Sequence, residues 1–158
     1  MFISKLNLEK CQDTLIGNTK LGVKGISGGE LRRLAFASEI ITNPALLFCD
    51  EPTSGLDSFM AMTIVESMKK LADQGKTIIC TIHQPSSGIF QNFDDLYLMA
   101  EGRLAYSGSL NSAIDFFAGQ GFVCPETFNP ADFYINKLAI SPFDKEACKE
   151  RVNVIVLL

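Results

Sequence analysis

Two short apolar segments separated by an amphipathic helix constrain this chain more than any other feature. Leu46 to Asp50 is a continuous apolar run that ends in an acid, as in a buried parallel strand, and residues 77–82 are rich in β-branched side chains. Between them, Ser58 to Asp73 carries apolar residues at helical spacing, and Gly75 follows as a stop. Strand, helix and strand form a βαβ crossover, which joins parallel strands. We therefore predict an α/β layered domain with a mostly parallel sheet.

Weaker patterns predict the elements on either side of this unit. Gly28 to Thr42 is predicted as a helix because positions 31, 34, 35, 38 and 41 form one stripe. The elements predicted further along are a short helix over 87–93, a hairpin of 95–99 with 103–107, and helices over 109–118 and 130–139. The last of these has Asn129 as its cap and Pro130 at its first position. Beyond Pro142 the pattern indicates no definite element.

Length and charge exclude several classes of protein. The 158 residues suffice for one domain with a sizeable core. Lys plus Arg is 14 and Asp plus Glu is 18, so the net charge is 14 − 18 = −4, which argues against nucleic acid as a partner. No apolar stretch approaches the ~18 residues of a membrane-spanning helix. Five cysteines without a C-x-x-C argue against a disulfide framework or a structural zinc site.

A glycine pair opens the first predicted helix, in the sequence Ser27-Gly28-Gly29-Glu30. Ser27 with Glu30 forms a capping box, and a well-capped helix is the simplest interpretation. A capping box does not need two glycines, however. Glycines at a helix N-terminus allow close approach of a ligand, and the free N–H groups with the helix dipole make an anion site. The segment is therefore a candidate phosphate-binding site.

Two acids and the only histidine follow the two predicted strands. Asp50 and Glu51 complete a Walker B pattern at the strand end, where one carboxylate can hold Mg²⁺ and the other can address a water; a merely solvated acid pair is the alternative. His83 directly follows the second strand. The strands lie ~4.8 Å apart if they are neighbours, or ~10 Å with one strand between them. In either case Glu51 and His83 share one edge. Asp57 ends a turn, Ser54-Gly55-Leu56-Asp57, and caps the next helix.

Taken in order, these segments resemble the motifs of the ATP-binding cassette (ABC) family. The order is a signature motif at 27–30, a Walker B strand at 46–50, a catalytic glutamate at Glu51, a D-loop at 54–57 and a switch histidine at His83. The segments CDEPTSGLDS, TIHQPSS and NPADFY are similar to the G subfamily of ABC transporters, and residues 35–61 to its White type, the halves of insect eye-pigment transporters. The resemblance covers residues 6–140, and the sequence after 141 departs from it.

The resemblance implies a role for each matched residue, with ATP and Mg²⁺ as cofactors. Glu51 would polarise the water that attacks the γ-phosphate, and His83 would stabilise the transition-state charge as a second catalytic residue. Asp50 would help to hold Mg²⁺, through water. The cofactor-binding residues are expected across the dimer, where the signature motif binds the ATP of the partner and the D-loop couples the two sites: Ser27, Gly28, Gly29, Glu30 and Asp57.

Several family features have no counterpart, among them the phosphate-binding loop, since no G-x-x-x-x-G-K-[ST] occurs in the sequence. Gly75-Lys76-Thr77 imitates its end, but it leads into a strand instead of a helix. We therefore expect the C-terminal part of a nucleotide-binding domain that hydrolyses little ATP alone. Its predicted parts are a partial helical subdomain with the signature motif at 1–43, a catalytic core at 44–125 and an incomplete C-terminal extension at 126–158.

Three functions stay open on this basis. The chain is part of a transporter ATPase, on the cytoplasmic face of a membrane protein that moves a small hydrophobic or pigment-precursor-like substrate. It pairs there with a second ABC half-transporter or nucleotide-binding domain. Alternatively, it is a soluble, non-transport ABC ATPase, or a non-enzymatic form that lends its signature face to an intact partner.

Overall fold

A computed structural model describes residues 6–17 and 22–156, which fall into two compact units, Met1–His83 and Gln84–Leu158. The first unit contains helix α1 (Gly28–Ile41), strand β1 (Leu46–Asp50), helix α2 (Ser58–Asp73) and strand β2 (Thr77–Thr81), after a 3-10 turn at Glu9–Cys11. The predicted βαβ crossover is confirmed, because β1 and β2 pair in parallel from Leu46 opposite Thr77 to Asp50 opposite Thr81. The parallel sheet has two strands among the described residues.

The core of the first unit lies between one face of this sheet and the two helices. Strand residue Leu47 packs with the α2 residues Ile64 and Met68, which lie on the face predicted for that helix. The α1 residues Phe36 and Ile40 close the cluster. A strand presents alternate side chains to opposite faces, so Leu47 is buried while its neighbours point away.

The predicted face of α1 is wrong, although the helix itself is confirmed. Leu31 and Ile41 belong to the predicted stripe, yet Ile41 is 70% exposed; the buried positions are Arg33, Phe36, Ala37 and Ile40. Two apolar stripes overlap on this helix. The stripe that contains Phe36 faces the sheet, because burying its large aromatic side chain removes more apolar area from water.

The opposite face of the parallel sheet is apolar and exposed. Leu46 and Phe48 on β1 and Ile79 on β2 share this face, and Phe48 is 69% exposed. Parallel sheets are ordinarily covered on both faces. The described residues of the first unit cover this sheet on one side only.

In its described part, the second unit contains a hairpin and four helices. In chain order the elements are α3 (Ser87–Phe90), β3 (Asp95–Ala100), β4 (Arg103–Ser109), α4 (Leu110–Gly119), α5 (Pro130–Leu138) and α6 (Lys145–Val156). The predicted hairpin is confirmed, since β3 and β4 pair antiparallel in a sheet of their own. Asn129 caps α5 as predicted, its Oδ1 accepting from the Ala131 N–H at 3.2 Å.

Helix α6 was not predicted, because its pattern is diluted by charged residues. Only Cys148, Val152 and Ile155 are buried in it. Val152 and Ile155 pack on an aromatic core in which Phe117 and Tyr134 stack with ring centroids 4.6 Å apart. Within the described ranges, every helix is too short or too polar to span a bilayer.

Candidate functional site

The N-terminus of α1 is built by the predicted capping box. The Ser27 Oγ accepts from the Glu30 N–H at 3.2 Å, and the Glu30 carboxylate accepts from the Ser27 N–H at 2.7 Å. This backbone hydrogen bond is the main reason that the pKa of Glu30 lies below its usual value. The box therefore occupies Glu30 and one amide of the first turn, and the amides of Gly28 and Gly29 lie ahead of the first intrahelical bonds.

The two glycines of this turn differ in what surrounds them. A Cβ added at Gly28 would meet no atom within 4 Å among the described residues. A Cβ at Gly29 would lie 3.2 Å from Leu56 Cδ2 and 3.4 Å from Arg33 Nη1, so small shifts would be needed. Neither glycine has the positive φ that favours glycine on backbone grounds. Local structure thus gives no reason for glycine at position 28, and a ligand that approaches the helix end would give one.

The Walker B acids lie at the carboxyl end of β1, where the register places them beside the end of β2. Asp50 is opposite Thr81, so Glu51 and His83 leave neighbouring strands at the same edge, which is the closer of the two predicted arrangements. The side chains of Asp50, Glu51 and His83 are all exposed there. An exposed edge with two carboxylates and one imidazole is accessible to a polar ligand.

Two residues that no sequence motif indicates contact this pair of acids. The Thr81 hydroxyl donates to Asp50 Oδ1 at 2.6 Å and accepts from the Glu51 N–H at 2.9 Å. Arg32 Nη1 donates to the Glu51 carbonyl oxygen at 2.7 Å. The pairing of β1 with β2 could have indicated Thr81, because it is the residue opposite Asp50. No local signal indicated Arg32.

Asp57 is placed as a helix cap. Its Oδ1 accepts from the Met60 N–H at 2.9 Å at the start of α2, and Gly55 adopts a positive φ of 73° in the turn before it. The predicted turn and cap are confirmed. The role of Asp57 in coupling two sites stays a prediction.

The carboxylate of Asp50 at the sheet edge suits a Mg²⁺ ion whose other ligands are water and phosphate oxygens. Among the residues that the structure describes, no group of three acidic, histidine or cysteine side chains is arranged to hold a metal ion. Mg²⁺ keeps several waters and is commonly bound through one or two carboxylates together with substrate phosphates. One oxygen of Asp50 accepts from Thr81, so the other is available for such a site. The residues present therefore fit this cation.

Comparisons with known proteins agree with the motifs. The family model described as "ABC transporter" matches residues 1–54, and the one described as "ABC-2 type transporter" matches residues 83–152. A solved ATP-binding cassette of an ABC transporter in its ADP conformation superimposes with a TM-score of 0.54 at 21% identity. The superposition covers 85% of this chain and 47% of that one, and it shows the fold.

Two similar relatives are insect proteins. Protein white of Ceratitis capitata is 56% identical over 153 residues, which are 97% of this chain and 22% of that protein. Protein scarlet of Drosophila melanogaster is 54% identical over 124 residues, which are 78% of this chain and 19% of that protein. The chain therefore spans about a fifth of the length of these relatives. The similarity extends further than the expected residues 6–140, since it includes 153 positions.

Proposed function

Because this chain corresponds to part of the ATP-binding cassette of a White-type ABC transporter, we propose that it supplies two half-sites for ATP. Members of this family bind nucleotide with Mg²⁺ and pair with a second ABC half. The first half-site is the acidic sheet edge, and the second is the glycine-bearing N-terminus of α1. The observation that supports the proposal is the parallel register of β1 and β2, because both strands end at one edge, where Asp50 ends β1 and Glu51 and His83 follow the two strands.

The sheet edge is proposed to act on the γ-phosphate of a nucleotide bound by the same cassette. Glu51 accepts a hydrogen bond from the attacking water and orients it. His83 donates to the phosphoryl oxygens, where negative charge is spread in the transition state. Asp50 would help to hold Mg²⁺ through water, and the bound cation would neutralise charge on the phosphates. Catalysis by these residues is therefore positioning and electrostatic stabilisation.

The N-terminus of α1 is proposed to bind the γ-phosphate of a nucleotide held by the partner cassette. Ser27 offers its hydroxyl, Gly28 and Gly29 offer backbone N–H groups, and the helix dipole favours an anion there. Glu30 keeps the turn in shape through the capping box. Asp57 lies at the start of α2, from which it is proposed to couple the two sites across the dimer.

The whole protein is proposed to use ATP hydrolysis to move a small hydrophobic or pigment-precursor-like molecule across a membrane. The match to the family described as "ABC-2 type transporter" supports transport as the function of the whole protein. Similarity to Protein white and Protein scarlet supports a White-type transporter. In that protein the present segment would lie on the cytoplasmic face.

Two measurements test the proposal. The purified chain is expected to show Mg²⁺-dependent ATP hydrolysis no greater than its Glu51→Gln variant, because it contains no G-x-x-x-x-G-K-[ST] loop. Mixed with a full-length White-type half-transporter, the chain is expected to associate in ATP and to dissociate in ADP, as measured by analytical ultracentrifugation. Strong hydrolysis by the chain alone, or association that ignores ATP, would contradict the proposal.

A further inference from the structure

The backbone of Glu51 is held by hydrogen bonds from three different segments. We propose that Arg32 and Thr81 are positioning residues that fix this backbone and thereby aim the Glu51 carboxylate. The inference rests on the proposed function for what the carboxylate does. Thr81 and Arg32 would set the geometry of that carboxylate, and Arg32 lies on α1, the helix that begins at the signature motif.

Thr81 contacts both acids through a single hydroxyl. A hydroxyl has one O–H donor and two acceptor positions. Here the donor is used on Asp50 Oδ1 at 2.6 Å, and an acceptor position receives the Glu51 N–H at 2.9 Å. The two bonds therefore fix consecutive acids with respect to each other and to the end of β2. Valine has the same shape as threonine but makes neither bond, whereas serine can make both.

Arg32 holds the next peptide unit, through the carbonyl group of the same residue. Its Nη1 donates to the Glu51 carbonyl oxygen at 2.7 Å, and this oxygen also accepts from the Ser54 N–H at 3.1 Å. A carbonyl oxygen has two lone pairs, so both are in use. Arg32 lies on α1, the helix whose N-terminal turn carries the signature glycines. Lysine would be a poor replacement, because a compact ammonium group lacks the planar fork of the guanidinium group.

The conformation of Glu51 explains why such bonds are needed. Its φ is +43°, in the left-handed region that non-glycine residues seldom adopt. Residues of this kind persist only where the surrounding structure over-determines them. Without Thr81 or Arg32, the backbone at Glu51 would relax toward negative φ. The direction of the Glu51 Cα–Cβ bond would change with φ. The carboxylate would then move from the position that it occupies beside the end of β2.

The hydrogen bonds themselves are tested in the purified chain by amide hydrogen exchange. Thr81→Val is expected to accelerate exchange of the Glu51 N–H by about tenfold, the equivalent of one lost hydrogen bond. Thr81→Ser is expected to stay within about twofold of the original rate, since it keeps the hydroxyl. Thr63→Val is the matched control, because the Thr63 hydroxyl bonds within its own helix, to the Phe59 carbonyl oxygen at 3.0 Å. Equal exchange in Thr81→Val and Thr63→Val would overturn the proposal.

The positioning role is tested by steady-state ATP hydrolysis in the whole protein that carries this segment. Thr81→Val and Arg32→Gln are each expected to lower kcat by about 10²-fold with little change in KM, because a misplaced group loses rate without losing nucleotide affinity. Thr81→Ser restores kcat, and Arg103→Gln, which removes a bond to Asn153 Oδ1, leaves it unchanged. A raised KM at constant kcat would overturn the role of Arg32 and Thr81. Retention of kcat in Glu51→Gln would instead refute the proposed function.

Discussion

Replacing Gly28 by alanine separates the stability of α1 from its use as an anion site. Alanine is about 0.8–1.0 kcal/mol more favourable than glycine inside a helix, and less at a first position. The added methyl group meets no atom of the described residues within 4 Å, and φ at this position is not positive. We therefore expect Gly28→Ala to raise the free energy of unfolding by about 0–1 kcal/mol.

The same methyl group would stand in front of the amides that the proposed function assigns to a phosphate. A phosphate that must approach the N-terminal N–H groups to hydrogen-bond distance would then be kept away. We expect the ATP-dependent association of Gly28→Ala with a full-length White-type half-transporter to weaken by about tenfold or more, since hydrogen bonds to a charged group contribute about 1.5–3 kcal/mol.

The assay pairs urea unfolding, followed by circular dichroism, with sedimentation of the mixture in ATP and in ADP. Gly119→Ala is the matched control, because Gly119 is a helical residue whose added Cβ would also lie more than 4 Å from every atom that the structure describes. It is expected to stabilise to a similar degree and to leave association unchanged. If Gly28→Ala associates as tightly as Gly119→Ala, the reasoning about an anion site at α1 is refuted. A lower urea midpoint for Gly28→Ala would refute the reasoning about its open surroundings.

Three further predictions concern the rest of the chain. Burial raises the pKa of Tyr134 to about 12, and its hydroxyl has no hydrogen-bond partner in the described ranges. The contribution of the neutral hydroxyl to the free energy of unfolding is therefore complete below the ordinary pKa of about 10 and is lost as the pH rises to about 12. Tyr134→Phe should reduce this loss in urea titrations at alkaline pH and raise the free energy of unfolding by about 1 kcal/mol at pH 7. A lower free energy of unfolding at pH 7 would contradict this. Burial raises the pKa of Cys80 to about 11. At pH 8 alkylation of Cys80, monitored by mass spectrometry, should therefore be about a hundredfold slower than alkylation of a free cysteine. Comparable rates would contradict the burial of this thiol. Asn129→Ala should lower the free energy of unfolding by about 1–2 kcal/mol, because Asn129 caps α5 and its Nδ2 donates to the Pro85 carbonyl oxygen at 2.9 Å; Asn129→Asp keeps the cap and should lose less in thermal denaturation.

The elements that sequence predicts well are those whose pattern is local. Strand β1, helix α2 and the hairpin each carry a pattern that a short window can detect, and the parallel or antiparallel pairing of the strands follows from the length of the connection. The capping box of α1 is equally local, because Ser27 and Glu30 are three positions apart. The shared edge of Glu51 and His83 follows from these elements alone, since parallel neighbours end on the same side.

The features that sequence did not predict depend on contacts between distant segments. Thr81 and Asp50 are 31 positions apart, and Arg32 and Glu51 are 19 apart. The buried face of α1 depends on which of two overlapping stripes meets β1 and α2, and the helical window contains no information on that choice. Helix α6 is stabilised by Val152 and Ile155 packing on an aromatic core formed by other elements. In each case the deciding interaction is tertiary, so periodicity and caps cannot reveal it.

Helix α1 connects the two half-sites more directly than the motif order suggests. Its first turn carries Gly28 and Gly29, and its next turn carries Arg32, which bonds the Glu51 carbonyl oxygen. The helix is capped at its start and anchored by buried Phe36, so a shift of its N-terminal turn moves the guanidinium group as well. Binding of a phosphate at the anion site would therefore affect the backbone of Glu51, the proposed catalytic glutamate, through the side chain of Arg32. If so, Arg32→Gln should leave ATP-dependent association intact while reducing hydrolysis, and Gly28→Ala should impair both.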